Sequence, residues 1–216
     1  EAGFIFGLHA VCTLLQRRPE SVLALILQKG RDDARMLELL QLAQDAGVRI
    51  ERRESAELER MSLGGNHQGA CAQARPSSVL GEGALDEILD RTAAPLLLVL
   101  DGVQDPHNLG ACLRSADGAG ATAVIVPRDR AAGLSPTVRK VASGAAEIVP
   151  LVQVVNLART LRWLKEREIW ILGADDQADK SLYQSDLTGR LAVVLGAEGQ
   201  GLRRLTRDNC DALVKI

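Results

Sequence analysis

Two stretches of this 216-residue sequence place polar side chains at spacings suited to chemistry. The first runs Asp101-Gly102-Val103-Gln104-Asp105-Pro106-His107-Asn108-Leu109-Gly110 and continues to Arg114, Ser115 and Ala116. It follows the apolar run Pro95 to Leu100, so it leaves the carboxyl end of a buried strand, where open α/β sheets collect ligands. Asp105 is placed to cap the next helix, with Pro106 at its first position. Asn108 then falls in the first turn, beside amides that can receive a phosphate. Arg114 comes six residues later, roughly 120° around the helix axis from Asn108. The two share a side only loosely, although a long arginine can reach back toward the strand end. The competing reading is a capped helix with polar surface residues. The conjunction of Asp101, Asp105, Pro106, Asn108, Gly110 and Arg114 favours a site.

The second stretch is Leu191-Ala192-Val193-Val194-Leu195-Gly196-Ala197-Glu198-Gly199-Gln200-Gly201. Here a buried strand ends in a glycine-rich turn with one carboxylate. Glycines let the backbone approach a ligand closely or take positive φ, so that amides and carbonyls can read an adenine edge. Glu198 is then free to orient a ribose or bind a cation. Taken alone, the turn reads more simply as a tight loop with a solvent-facing glutamate, because short glycine motifs are weak signals. It is not the dinucleotide fingerprint: no G-x-G-x-x-G follows the first strand of the domain, and no acidic residue closes the second. That argues against a dehydrogenase and against the common Rossmann methyltransferases. No serine stands in a nucleophile elbow, and the neighbours of His9 and His107 suggest neither a triad nor a metal site.

The elements that must position these residues follow from periodicity. Gly7 to Arg17 reads as a helix with an apolar stripe at Leu8, Val11, Leu14 and Leu15, stopped by Pro19. A strand over Ser21 to Leu27, a helix capped by Asp33 and running to Ala46, a short strand Val48 to Glu51, a helix from Ser55 to about Met61 and a strand Gly69 to Ala74 complete a small α/β unit. Pro76 to Gly83 reads as a linker, with a turn or two of helix at Leu85 to Leu89. Beyond it, apolar strands at Leu96–Leu100, Thr122–Val126, Glu147–Val152, Ile169–Leu172, Leu191–Leu195 and Ala212–Ile216 alternate with helices near Pro106–Ala119, Pro136–Ala142, Leu157–Arg167 and Gly201–Asn209. Such alternation predicts a parallel sheet covered on both faces. The expected division is residues 1–75, a linker over 76–93, and a second domain over 94–216.

Composition narrows the partners. Net charge is −2, which offers no long-range field for nucleic acid. Residues 1–75 carry ten Lys/Arg and ten Asp/Glu, and the remainder sixteen and eighteen. An RNA partner therefore needs a local basic patch. Arg17, Arg18, Lys29, Arg31 and Arg35 are one candidate; Arg49, Arg52 and Arg53 are another; interspersed acids leave a merely solvated face open for both. His67 and Gln68, in a glycine-flanked loop, suit either RNA contact or loop stabilisation. Two Phe, two Trp and one Tyr argue against a base-stacking sheet. Cys12, Cys71, Cys112 and Cys210 show no C-x-x-C spacing, so structural zinc is not expected; free thiols in a reducing cytoplasm fit them. No apolar run reaches the roughly 18 residues of a membrane span. Phe4-Ile5-Phe6 is too short for a signal-peptide core, and Glu1 in place of Met implies that native residues precede it.

Asp101 to Ala116 and Leu195 to Gly201 resemble the first two signature motifs of the SpoU family, RNA ribose 2′-O-methyltransferases of the SPOUT superfamily. Phe6-Gly7-Leu8-His9-Ala10-Val11, His67-Gln68-Gly69, Leu109 to Asp117 and Lys140 to Glu147 extend the resemblance over nearly the whole chain, and favour the members that act on 23S rRNA over the tRNA-modifying ones. The resemblance implies an L30e/L7Ae-like RNA-binding domain, a SPOUT catalytic domain with a deep trefoil knot, and a homodimer. It implies S-adenosyl-L-methionine as cofactor, no metal and no membrane, and as target a guanosine in the peptidyl-transferase-region P loop. Asn108, Arg114 and Glu198 fall at catalytic positions. Gly196 and Ile216 fall at positions that hold the adenosine, with Leu195, Ala197 and Ala174 as neighbours. Arg17, Arg18, Lys29, Arg31 and His67 are the RNA-binding candidates. The family's third motif, a Pro-Met pair and a Ser-Leu-Asn-x-Ser run, has its place after Ile216, so the knot and cofactor pocket are expected to be incomplete in residues 1–216. Two other classes stay open: a tRNA 2′-O-methyltransferase, and a non-catalytic RNA-binding module of ribosomal type.

Overall fold

The computed structural model describes residues 2–129 and 131–216; Glu1 and Arg130 lie outside the described residues. The chain falls into two compact units, one of Glu1–Ser77 with Ser143–Ile148 and one of Ser78–Ala142 with Val149–Ile216.

The first unit runs β1 (Gly3–Phe6), α1 (Leu8–Arg17), β2 (Val22–Gln28), α2 (Ala34–Asp45), β3 (Arg49–Arg53), α3 (Ser55–Met61) and β4 (Ala70–Ala74). The strands form one sheet ordered β1-β4-β2-β3. β2 and β3 are parallel, and β4 runs antiparallel to β1 and β2. Successive side chains of β2 point to opposite faces. Ala24 and Ile26 pack with Leu58 of α3 and with Cys71, while Leu25 and Leu27 are buried on the other face. The stripe Leu8, Val11, Leu14 and Leu15 of α1 is buried as the periodicity predicts. Asp33 caps α2 by accepting from the amides of Arg35 and Met36. β1 was not expected; its residues find their hydrogen-bond partners on β4, from Gly3 opposite Ala74 to Phe6 opposite Cys71.

The second unit begins with β5 (Leu80–Gly81), α4 (Ala84–Asp90), β6 (Leu96–Asp101), α5 (Pro106–Gly118), β7 (Ala123–Pro127) and α6 (Pro136–Ala142). After α7 (Ala145–Ile148), which groups with the first unit, come β8 (Leu151–Val154), α8 (Leu157–Glu166), β9 (Trp170–Ala174), β10 (Leu191–Gly196), α9 (Arg204–Arg207) and β11 (Ala212–Val214). Seven strands make one parallel sheet ordered β11-β9-β10-β6-β7-β8-β5. Leu85 and Leu89 of α4 and Leu157, Leu161 and Leu164 of α8 pack on one face, against Leu97, Val99, Ile125 and Val194. Leu100, Val124 and Val126 alternate to the opposite face, and α5 and α6 bury Leu109, Leu113 and Val138. The winding reverses at β6: β7 and β8 lie to one side, β10, β9 and β11 to the other. The crevice at the carboxyl ends of β6 and β10 is therefore a topological switch point.

Three expectations are corrected. The stretch 76–93 is more than a linker, because β5 extends the sheet by pairing with β8 and α4 contributes Leu85 and Leu89 to the core. The strand expected over Glu147–Val152 starts only at Leu151, since Ala145–Ile148 forms a helical turn and Pro150 has no N–H for a ladder. The helix expected over Gly201–Asn209 is confined to Arg204–Arg207, for a reason found in the site.

α5 and α6 meet at Gly110, where a Cβ would stand 2.7 Å from Val141 Cβ and 3.0 Å from the Val138 carbonyl oxygen. Gly110→Ala is expected to destabilise the protein by about 1–3 kcal/mol through overpacking, seen as a lower urea midpoint. An unchanged midpoint would show that α6 yields freely.

Candidate active site

β6 and β10 end side by side, with Asp101 opposite Gly196. The loops leaving them enclose a cleft of about 400 Å³ whose polar lining includes Asp101, Gln104, Asp105, Asn108, Glu198 and Arg203. Asp105 caps α5, accepting from the amides of His107 at 2.6 Å and Asn108 at 3.3 Å. These amides, expected to be open to a phosphate, are thus already satisfied. Asn108 Nδ2 donates to Glu198 Oε2 at 3.3 Å across the cleft. The two polar stretches of the sequence therefore meet at one place.

A second pair fixes the loops. The Asp101 side chain is fully buried. It accepts from the Arg203 amide at 2.9 Å and from Arg203 Nε at 2.6 Å, and Arg203 Nη2 closes on it as well. A buried carboxylate persists only when paired and hydrogen-bonded. Holding Arg203 in an extended conformation, with φ −63° and ψ 148°, delays the helix to Arg204. Gly196 completes the turn: a Cβ there would lie 2.1 Å from the Gly201 carbonyl carbon and 2.5 Å from the Leu202 nitrogen. Ala197 and Gly201 exchange backbone hydrogen bonds of 3.2 and 2.9 Å, which narrows the backbone groups left to read an adenine edge.

A further cleft of about 490 Å³ lies on the β9 side of this turn, lined by Ala174, Asp175, Asp176, Ala197, Gly199 and Arg207 among others. Arg207 pairs with Asp175 at 3.1 Å. Small side chains leave room there for a flat ligand, and Asp176 is exposed.

The structure brings some sequence candidates together and leaves others apart. Asn108 and Glu198 meet; Ala197 lines both clefts and Ala174 the second; Leu195 and Gly196 end β10 behind the turn. Arg114 is exposed on α5, lines neither cleft and pairs with no described residue. Ile216 is exposed and lines neither cleft. In the first unit, Lys29, Arg31 and His67 gather at the carboxyl end of β2. There the Gln28 amide donates to the Gly69 carbonyl at 2.9 Å, Arg31 Nη1 donates to the Gln68 carbonyl, and the Gly69 amide donates to His67 Nδ1 at 3.0 Å. Arg17 and Arg18 precede the other end of this seven-residue strand, roughly 20 Å away at the usual rise. The five residues thus do not form one patch. Arg18 Nη1 is also engaged, by Ser77 Oγ at 2.8 Å and the Glu147 carbonyl at 2.7 Å. Gln68 Oε1 accepts from the Leu8 amide at 3.1 Å, which gives this loop a structural duty. Arg203, Asp175 and Asp176 were missed by sequence reasoning. A strand-end aspartate inside an apolar run could have signalled the need for a cation such as Arg203.

All four cysteines are free, and burial pushes the Cys71 and Cys210 thiols up to about 11. Among the described residues, no group of three His, Cys, Asp or Glu side chains could hold a metal ion, and no helix is long and apolar enough to cross a membrane.

A parallel α/β sheet with a polar cleft at its switch point, joined to a small mixed-sheet unit, defines a two-unit α/β protein with a ligand site at the end of β6 and β10. Comparison with known proteins places it further: the chain belongs to the SpoU rRNA methylase family, whose model matches residues 95–216. Residues 4–80 match the model described as RNA 2′-O ribose methyltransferase substrate binding. The 23S rRNA (guanosine-2′-O-)-methyltransferase RlmB of Vibrio vulnificus is 53% identical over 213 residues, 99% of this chain and 86% of that protein. Its counterparts in Pseudomonas putida and Escherichia coli K12 are 54% and 52% identical, covering 98% of this chain and 86% and 87% of theirs. The SpoU methyltransferase AviRb of Streptomyces viridochromogenes shares the fold, with a TM-score of 0.62 at 22% identity over 100% of this chain and 79% of its own. Its complex with AdoMet gives 0.60 at 22% identity, over 99% and 79%.

Arg203→Ala would leave the Asp101 carboxylate buried without its cation. The expected loss is on the order of 2–4 kcal/mol, measured by urea unfolding. A loss near zero would mean that the carboxylate reaches water and that the pair does not hold the loops.

Proposed function

We propose that this protein transfers a methyl group from S-adenosylmethionine to the ribose 2′-hydroxyl of a guanosine in 23S rRNA. The observation that carries this reading is the meeting of Asn108 and Glu198 at the switch point, in a chain more than half identical to proteins named for that reaction. When bound, the cofactor would supply an activated methyl on a sulfonium, leaving as the neutral thioether while the hydroxyl proton passes to water. The β9-side cleft suits its adenosine part: Ala174 and Ala197 leave space, Leu195 and Gly196 back the turn, and Asp176 can accept from ribose hydroxyls. Ile216 has a part in it only by resemblance.

The target ribose would sit in the other cleft, where Glu198 accepts from a hydroxyl and Asn108 holds Glu198 in place. Arg114 cannot serve as a base under ordinary conditions, because a guanidinium does not give up its proton in proteins. Its exposure on α5, with no ion pair to a described residue, suits a clamp on a substrate phosphate. Holding hydroxyl, methyl and sulfur in line supplies much of the rate. Lys29, Arg31 and His67 offer the first unit's RNA contact, consistent with the substrate-binding model that matches it. The trefoil knot, the L30e/L7Ae-like character of the first unit, homodimerisation and a cytoplasmic setting belong to the same reading.

The test gives the full-length protein methyl-labelled S-adenosylmethionine and a 23S rRNA fragment containing the P loop, then maps the label. Transfer to a guanosine 2′-oxygen supports the reading. Transfer only to tRNA, or RNA binding without transfer, replaces it with one of the other two classes. Asn108→Ala and Glu198→Ala should each lower kcat by about 10²-fold or more with the urea midpoint unchanged, since both side chains are exposed. Arg114→Ala should abolish transfer while calorimetry shows nearly normal cofactor affinity. Near-normal turnover by any of the three removes that residue from the mechanism.

A further inference from the structure

A ribose held at the switch point is one link of a polymer, so the neighbouring nucleotides must rest along the same rim of the sheet. Clefts flank the reaction cleft on both sides. The β9-side cleft carries Asp175, paired with Arg207, and the exposed Asp176, so the charge it leaves over is a carboxylate, which repels phosphate. The other flank lies at the carboxyl ends of β7 and β8. There Pro127, Val155, Leu157, Leu205, Arg203 and Arg204 line a cleft of about 420 Å³. Arg203 lines both this cleft and the reaction cleft, so the two adjoin at that residue.

The chemistry of the flanking cleft is unlike ordinary surface. Val155 and Leu205 are 57% and 60% exposed, an apolar pair left facing water. Arg204 is exposed and pairs with no described acid. Asp129 also lines the cleft, and its own cation is Arg128, 4.0 Å away. A cation beside aliphatic walls, with one carboxylate apart, matches a nucleotide in three respects. The phosphate takes the guanidinium, the base face takes the aliphatic side chains, and a base amino group can donate to the carboxylate.

We propose that this cleft is a subsite for the nucleotide adjoining the methylated one, with its phosphate on Arg204 and its base against Val155 and Leu205. The proposal rests on the reading that the protein methylates RNA. Such a subsite fixes where the chain sits rather than reading much sequence, as phosphate contacts generally do.

The test compares the full-length protein with Arg204→Ala and Arg204→Lys, using the 23S rRNA fragment. For Arg204→Ala, the KM for RNA should rise about 5- to 20-fold with unchanged affinity for S-adenosylmethionine, and the slope of log K for RNA against log salt should shrink by about 1. Arg204→Lys keeps the charge and should restore the slope. In parallel, 4-thiouridine placed beside the mapped target nucleotide should crosslink on irradiation to the peptide carrying Leu205 or Val155. If Arg204→Ala leaves KM and salt slope at wild-type values, or the crosslink falls on another part of the protein, the subsite is overturned while the methyltransferase reading stands. A wild-type protein that transfers no methyl to the fragment overturns both.

Discussion

The candidate site depends on one buried carboxylate. Asp101 ends the central strand of the second unit's sheet with no exposure to water. A charge there is sustained only by a cation and hydrogen-bond donors brought to it. Arg203 supplies both, from a position 102 residues later in the chain. Because its own amide is one of the donors, the backbone from Gly201 to Arg203 must run past the end of β6. The turn between Gly196 and Arg203 is thereby drawn over the mouth of the sheet, and Glu198 is carried to Asn108. Gly196 answers the same constraint from the other side, since the returning backbone passes where any side chain would stand.

That geometry also sorts the rim electrostatically. Asp101 and Arg203 neutralise each other, so the charged groups the reaction cleft still presents are the carboxylates of Asp105 and Glu198. Toward β9 Asp175 pairs with Arg207 and Asp176 is left over, while toward β7 and β8 Arg204 pairs with no described acid. A net charge of −2 conceals this polarity, because what a polyanion meets is the local arrangement within roughly one Debye length. RNA binding by a nearly neutral protein then calls for a few well-placed cations rather than a basic surface. In the first unit Lys29 pairs with Glu54 and Arg31 with Asp33, so these cations too are offset by neighbouring acids.

What the sequence made legible was local. Asp33 and Asp105 were readable as caps because the amides they satisfy lie two and three residues away. The span of α6 and the presence of the parallel strands followed from apolar periodicity. The failures were non-local. β1 exists because β4 offers it a partner, and α9 is short because Asp101 claims Arg203. The proximity of Arg17 and Arg18 to Lys29 and Arg31 in sequence suggested a single patch, yet a full strand runs between them and carries the two groups to opposite ends of the sheet. The polar stretch at Asp101–Arg114 and the glycine turn at Gly196–Gly201 were both visible; that they meet required the strand order, with β10 inserted beside β6.

The chemistry this arrangement can support is constrained by what it lacks. Neither an amide nor a guanidinium takes up a proton at neutral pH, the buried carboxylate of Asp101 is engaged by Arg203, and Glu198 is exposed. A reaction that begins by fully removing a proton from a sugar hydroxyl would be poorly served here. A reaction whose electrophile is already activated needs less: the hydroxyl must be aimed, its proton given a route to water as the bond forms, and the growing negative charge met by a fixed cation. Glu198, braced by Asn108 on a turn that Asp101 holds in place, can do the aiming. The open cleft admits the water. The demand on the protein is therefore for rigidity at the switch point more than for a perturbed acid or base, and that rigidity is what the buried ion pair and the glycine turn provide.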